Sequence, residues 1–317
     1  YYVVSPSPSE RDIRIWEQKR ITTLDGTFED FIQAIRTKMP EALRAIQMPK
    51  KDHVIEKLFI KHQKISPSTL SFLQNEVDYL YHGFVTESPN PKIFYKGASY
   101  GWSAIAGELD AGRGLTDTLL SDVVIADEAD RPQSCDFYLV KAYAGAGKSV
   151  LLKRLAWDAA NEFEKICLYY HLDARITIEP IQELAELTNE RIFLFIDRPA
   201  SRNGELERFI KSARQKSLRV TIVCSERTNE WNTDCQNLNQ LVDETYELRN
   251  LSAKEVDRIL EKLKRHNQLG SLAQLSEAEQ KNAFMEYANR QLLVALYEVT
   301  SGLPFEQIVF EEYRNIV

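Results

Sequence analysis

The segment Ala142–Ser149, with the sequence A-Y-A-G-A-G-K-S, has the residues and spacing of a phosphate-binding loop. A strand-like run, Phe137–Tyr143, leads into it, and an apolar helical pattern, Val150–Trp157, follows it. This order is typical of a site for a nucleoside triphosphate. Backbone N–H groups wrap the phosphates, Lys148 reaches the β and γ oxygens, and the Ser149 hydroxyl holds Mg²⁺. The segment departs from the usual pattern at its first residue, where Gly is common.

A second candidate lies at the end of the apolar run Arg191–Asp197. In enzymes with such a phosphate loop, a strand-end Asp orders the Mg²⁺ shell, which is the role predicted for Asp197. An ordinary turn Asp is the alternative. Arg198 follows, where many ATPases place a second acid that activates water. The sequence therefore predicts slow turnover and leaves the general base open.

A third candidate is the polar end of another strand-like run, Arg219–Arg227. At the C-terminal edge of a parallel sheet, Ser225, Glu226 and Arg227 are expected to face the phosphates. Glu226 is predicted to orient water, and Arg227 is predicted to stabilise charge on the γ-phosphate. A surface salt bridge is the alternative.

Two residues upstream of the loop are candidates for contact with the base. Trp102 and Arg113 lie in a region where several ATPase families pack the base, although Trp102 as plain core remains open. The predicted catalytic residues are Lys148, Asp197, Glu226 and Arg227, and the predicted metal ligands are Ser149 and Asp197. The predicted nucleotide-binding residues are Ala144, Gly145, Ala146, Gly147, Lys148, Ser149, Val150, Trp102 and Arg113.

Predicted strands and helices alternate along the chain around these candidate residues. Strand-like runs separated by helical stretches predict an α/β fold with a parallel sheet covered by helices on both faces. Beyond Leu251 the pattern is helical, with capping boxes at Ser252–Glu255 and Ser276–Glu279. Predicted units are an N-terminal remnant of a Rossmann-like domain (1–36), a helical linker (37–91), a P-loop NTPase core (92–250) and a helical lid (251–317).

Bulk properties narrow the function classes. The formal net charge of −7 makes no electrostatic case for nonspecific nucleic-acid binding. The four cysteines show no metal spacing and suit a reducing cytoplasm. No apolar run is long enough to cross a bilayer. Since the first residue is not Met and the last ones follow a helical pattern, the expectation is a piece of a longer protein.

The combination of Ala142–Ser149, Ile192–Asp197 and Ser225–Arg227 with the segment Leu248–Glu255 resembles the STAND NTPases, which are signal-transducing ATPases. The glycine loop, the strand-end Arg and the L-x-x-L-S-x-x-E entry into a helical lid are shared features. Leu292–Gly302 looks like the lid helix of bacterial members. The resemblance covers about Ile93 to Val317 and implies an ATP- and Mg²⁺-dependent switch.

The first 36 residues look like the closing part of a sirtuin-like Rossmann domain, through Tyr1–Pro6 and Gly26–Phe31. Together the two resemblances imply a bacterial sirtuin-like STAND protein of antiphage defence. A phage protein, sensed by a C-terminal region, would trigger ATP-dependent assembly into a homo-oligomer, a tetramer or larger. Assembly would activate NAD⁺ hydrolysis by the N-terminal domain, whose catalytic residues are expected upstream of Tyr1.

Rival interpretations remain open from the residues alone. One is a scaffold that binds ATP as a structural ligand without turnover, which Arg198 favours. Another is an ATP-driven motor acting on nucleic acid or protein, against which the acidic balance and the short lid speak. A metabolic kinase has less support, because no acceptor pocket is recognisable.

Overall fold

A computed structural model describes residues 65–81, 84, 88–97, 101–288 and 292–301, all within the compact unit His53–Val317. The predicted effector remnant, residues 1–36, lies outside the described residues. No helix in the described ranges is both long and apolar enough to cross a membrane.

The fold is built on one six-stranded sheet with the order β1-β3-β4-β5-β2-β6. β1 pairs with β3 in antiparallel orientation, and every other pairing is parallel, so the predicted parallel sheet is correct except at this edge. The strands are β1 (Val77–Leu80), β2 (Cys135–Ala142), β3 (Ile166–Tyr170), β4 (Ile192–Asp197), β5 (Val220–Arg227) and β6 (Glu244–Glu247).

The central strands are nearly continuous apolar runs because helices cover both of their faces. One face packs against α1, α6 and α7, and the other packs against α3, α4 and α5. The helices of this core are α1 (Pro67–Asn75), α2 (Pro91–Tyr95), α3 (Trp102–Ala106), α4 (Gly114–Leu119), which continues as a π-helical turn (Leu120–Ile125), α5 (Lys148–Asn161), α6 (Glu179–Thr188), α7 (Asn203–Gln215) and α8 (Thr228–Asp234).

Three further helices, here called the lid, have apolar residues that cluster with residues of α2 and α3. They are α9 (Ala253–Arg265), α10 (Glu277–Ala288) and α11 (Leu292–Ser301). The Ser252 hydroxyl accepts from the Glu255 N–H while the Glu255 carboxylate accepts from the Ser252 N–H, so the predicted capping box is confirmed. The predicted apolar stripe of α9 is buried against Phe284 and Val299; its residues are Val256, Ile259, Leu260 and Leu263.

The strand order brings the ends of β2, β4 and β5 to one edge of the sheet. β5 is hydrogen-bonded to β2 on one side and to β4 on the other. The carboxyl ends of these three parallel strands therefore meet at one edge of the sheet, where ligands bind in open α/β folds. Ala142, Asp197 and Arg227 are the last residues of β2, β4 and β5.

Candidate nucleotide-binding site

The phosphate loop joins β2 to α5 through two glycines that no other residue type would replace easily. Gly145 has φ 71° and Gly147 has φ 91°, in the left-handed region that strains side-chain-bearing residues. A Cβ added at Gly147 would lie 3.3 Å from Leu292 Cδ2. The loop is thus a backbone cradle, and α5 begins directly after it at Lys148.

A hydroxyl, a carboxylate and a second hydroxyl meet beside the loop. The Ser149 hydroxyl donates to Asp197 Oδ2 at 2.6 Å, and the Ser225 hydroxyl donates to Asp197 Oδ1 at 2.5 Å. Hydroxyl and carboxylate oxygens are hard donors of the kind Mg²⁺ prefers, and Mg²⁺ takes its remaining ligands from phosphate and water. The donor set at Ser149 and Asp197 therefore fits a phosphate-bound Mg²⁺.

Lys148 is buried at the start of α5. Its ammonium donates to the Tyr143 carbonyl at 3.3 Å. Burial lowers the pKa of Lys148, and the nearby Asp197 carboxylate opposes that shift. A desolvated ammonium held weakly by one carbonyl is well placed to exchange that carbonyl for phosphate oxygens.

The end of β5 sends alternate side chains to opposite faces of the sheet. Ser225 and Arg227 face the loop, and Arg227 lines the cavity while its Nη1 donates to Glu230 at 2.7 Å. Glu226 lies on the other face, fully buried, and accepts from the backbone N–H groups of Ala200 and Arg227. The prediction that Glu226 faces the phosphates and orients water is therefore wrong, because successive strand residues cannot share a face.

Burial raises the pKa of Glu226 to about 7, against the opposing effect of the two N–H donors. The group is a buried structural carboxyl that ties the end of β5 to the turn after β4.

Arg198 occupies the position after Asp197 with an uncommon backbone. Its φ of 50° and ψ of 63° are left-handed, a conformation that costs a residue with a side chain about 1 kcal/mol. Its N–H donates to the Ser225 carbonyl at 2.9 Å, and its Nε lies 3.9 Å from Asp197 Oδ2. This turn carries the guanidinium to the cavity wall, where a second acid would stand in many ATPases.

A cavity of about 410 Å³ extends from the phosphate loop to the lid. Its phosphate end contains Lys148, Ser149 and Asp197. The Leu293 N–H, near the start of α11, donates to the Gly145 carbonyl at 3.1 Å, so the lid touches the loop directly. The far end of the cavity is mostly apolar and is lined by Phe94, Tyr95, Ile105, Leu109, Ile259 and Leu296.

Trp102 does not line this cavity. Its indole N–H donates to Asp78 Oδ2 at 2.7 Å, and its ring packs against Trp157 and Tyr169 in the core between α5 and the sheet. The predicted contact between Trp102 and a base is therefore not supported. Apolar side chains at the lid end, such as Tyr95 and Ile259, offer that surface instead.

Arg113 lines the cavity, but its guanidinium is hydrogen-bonded to other groups of the protein. Its guanidinium donates to the Ala146 carbonyl of the phosphate loop, the Arg249 carbonyl and the Glu255 carboxylate, at 3.2, 2.7 and 2.9 Å. Arg113 thus clamps the loop to the first turn of α9. The capping role of Glu255 can be predicted from the sequence, but its pairing with Arg113 cannot, because no local pattern indicates a contact across 142 positions.

The clamp makes stability depend on pH. Burial raises the pKa of Glu255, but the Ser252 N–H and the Arg113 charge outweigh it and bring that pKa to about 2. A carboxyl with a depressed pKa stabilises the fold above its unfolded pKa and loses that contribution as the pH falls through the folded value. At neutral pH, Glu255→Gln should therefore be less stable than the parent.

This difference in free energy of unfolding should shrink between about pH 4.5 and pH 2. Urea denaturation of both proteins across that range measures it. A difference that stays constant throughout would contradict the clamp.

A known protein family matches the part of the chain that contains the phosphate loop. Residues 92–239 match the family model described as novel STAND NTPase 5. This segment is a STAND-class P-loop NTPase domain. The match contains the phosphate loop, Asp197 and Arg227, and it ends before β6 and the lid. A nucleotide-binding role for the STAND-class domain follows from its family.

Part of the chain is similar to solved structures. The Thermotoga maritima RuvB Holliday junction branch migration motor is 18% identical with a TM-score of 0.41, covering 59% of this chain and 60% of that chain. C. elegans PCH-2 is 15% identical with a TM-score of 0.36, covering 55% of this chain and 54% of that chain. No curated protein matches the sequence.

Proposed function

We propose that the STAND-class domain is an ATP-dependent switch in which bound ATP·Mg²⁺ sets the orientation of the lid relative to the core. The observation that carries the proposal is the Ser149–Asp197 pair, 2.6 Å apart, beneath a cavity that α9 and α11 cover. A ligand in that cavity would contact the loop and the lid at once. Its occupancy would therefore bias their relative position.

The roles of the chain's own residues follow from their positions. Lys148 and the backbone N–H groups of 144–150 neutralise phosphate charge. Ser149 and Asp197 would hold Mg²⁺, which would supply neutralisation of the phosphate charge. Arg227 reaches the γ-phosphate by giving up its contact with Glu230, in which its side chain is half exposed.

Slow turnover is part of the proposal. Asp110 and Asp197 are the acidic residues among the described cavity-lining residues. Both oxygens of Asp110 are taken by Arg154, and Asp197 is committed to Ser149 and Ser225. With Arg198 beside Asp197, no lining carboxylate is free to take a proton from water.

We expect Asp197→Asn to make nucleotide binding insensitive to Mg²⁺, because the amide removes the charge that favours the metal. Affinity for ATP in the presence of Mg²⁺ should fall about tenfold, and affinity in EDTA should stay within about threefold of the parent. Calorimetric titration in both buffers measures these values. Equal Mg²⁺ enhancement in parent and variant would contradict the metal role of Asp197.

We further propose that this switch belongs to an antiphage defence protein. Its support is the STAND-class match together with the sirtuin-like pattern of residues 1–36. In this account a phage protein triggers ATP-dependent homo-oligomerisation in the cytoplasm, and assembly activates NAD⁺ hydrolysis by an N-terminal domain of the longer protein. The trigger would be sensed by a region C-terminal to the lid.

Light scattering of the chain with and without ATP·Mg²⁺ tests the assembly step, with Lys148→Ala as the matched control. The proposal expects a larger mass with ATP for the parent and no change for the variant. NAD⁺ loss on mixing the longer protein with phage lysate tests the effector step. An unchanged mass under all conditions would contradict the assembly step. Phosphate release then separates the switch from an ATP-binding scaffold without turnover, the alternative that Arg198 favours.

A further inference from the structure

We propose that Lys153 is a second phosphate-binding lysine of this site, which recognises the terminal phosphate and so makes the site prefer a nucleoside triphosphate over a diphosphate. The inference rests on the proposed nucleotide binding and deepens it. Lys153 lies on α5, outside the glycine loop.

The position of Lys153 on α5 directs it toward the metal ligands. It lies four residues after Ser149, so the two side chains share one face of the helix. Lys153 lines the same cavity as Lys148, Ser149 and Asp197. Lys148 and Lys153 therefore approach the phosphate end of the cavity from consecutive turns of α5.

Two aromatic rings hold the ammonium in place. Lys153 Nζ lies 5.4 Å from the centre of the Trp102 ring and 5.8 Å from the centre of the Tyr169 ring. Such rings attract a cation and use none of its N–H donors. Among the described residues, no carboxylate pairs with Lys153 within 4.0 Å, unlike Lys262 or Lys281. Its donors are therefore available to a ligand.

The strand order indicates which phosphate Lys153 would meet. Tyr169 is on β3, the strand beyond β4 on the side away from β2. Lys153 Nζ, which lies near the Tyr169 ring, is therefore on the β3 side of Asp197, whereas Lys148 lies at the glycine loop itself. A phosphate chain bound along the loop and Asp197 would bring its last phosphate toward Lys153 and Arg198.

The charge balance supports an anionic ligand at this place. Burial lowers the pKa of Lys153, and the Asp78 and Asp197 carboxylates oppose that shift. Four cations, Lys148, Lys153, Arg198 and Arg227, line the cavity with Asp197, and of these Arg227 is paired with Glu230. A terminal phosphate would offset this surplus, and a diphosphate would leave it largely uncompensated.

A matched control exists on the opposite face of the sheet. Lys141 Nζ lies 5.7 Å from the centre of the Trp231 ring, and it donates to Asn232 rather than lining the cavity. Lys141→Met and Lys153→Met thus remove the same charge from similar aromatic settings. Methionine keeps the apolar length of the side chain against the rings in both.

The test is calorimetric binding of ADP and of a non-hydrolysable ATP analogue, each with Mg²⁺, to the parent, Lys153→Met, Lys153→Arg and Lys141→Met. Lys153→Met should lower the affinity for the ATP analogue by about tenfold and the affinity for ADP by less than about threefold, because only the terminal phosphate loses a charged partner. Lys153→Arg should retain most of the preference, and Lys141→Met should leave both affinities unchanged.

Retained ADP binding shows that the variant is folded. Equal weakening of both ligands, or no change in either, would overturn the role of Lys153 while leaving nucleotide binding in place. Failure of the parent to bind either nucleotide would overturn the proposed function itself.

Discussion

Lys148→Ala should lower the affinity of the chain for ATP·Mg²⁺ by at least about 100-fold, which corresponds to roughly 2.7 kcal/mol. The reason is that Lys148 is the one ammonium at the start of α5, buried and held by a single carbonyl contact of 3.3 Å. Removing it leaves phosphate oxygens desolvated without their charged partner. Fluorescence titration with a labelled ATP analogue measures the loss.

Lys141→Ala is the control for this prediction, because Lys141 lies near the end of β2 and outside the cavity. Its affinity for ATP should equal that of the parent. Circular dichroism of both variants should show the parent's helix content. Unchanged ATP affinity in a folded Lys148→Ala variant would remove the basis of the proposed mechanism.

Asp136→Ala should destabilise the fold by about 3–5 kcal/mol, because it breaks a buried ion network. Asp136 is fully buried at the start of β2, and its Oδ2 accepts from Arg131 at 3.1 Å and from Arg191 at 3.2 Å. Both guanidinium groups are nearly inaccessible to solvent. Without Asp136, two cations remain buried together.

Glu128→Gln is the matched control within the same network. Glu128 pairs with Arg191 at 2.7 Å, but its side chain is 52% exposed. An exposed pair contributes about 0–1 kcal/mol, so this variant should stay within about 1 kcal/mol of the parent. Urea denaturation of the two variants measures both values, and an equal loss in both would contradict the account.

The centre of the sheet could be predicted from the sequence because its strands are buried on both faces. β2, β4 and β5 are apolar runs, and in an alternating α/β pattern such a run is typical of a strand covered by helices on both faces. The capping box at Ser252 and the apolar stripe of α9 could also be predicted from the sequence. Each of these signals is local, within one element.

The edges of the sheet could not be predicted in the same way. β1 and β6 are four residues long, and β6 buries only Tyr246. Such short edge strands carry no periodic signal, and their pairing is set by the neighbouring strand. They therefore went unrecognised.

Side-chain placement at the site shows a second limit. Asp197 was correctly expected beside the phosphate loop, because strand ends meet at one edge. Glu226 was misplaced because all three residues at the end of β5 were assigned to one face. The Arg113 clamp and the contact between Leu293 and Gly145 join distant segments, so they depend on tertiary packing that no local pattern encodes.

One bound nucleotide should contact the phosphate loop and the lid together, and hydrogen–deuterium exchange with and without ATP·Mg²⁺ measures both contacts. With ATP·Mg²⁺ we expect slower exchange in α5 and, to a similar degree, in α9 and α11, because all three helices line the cavity. Slower exchange in α5 alone, or none in any of them, would contradict it.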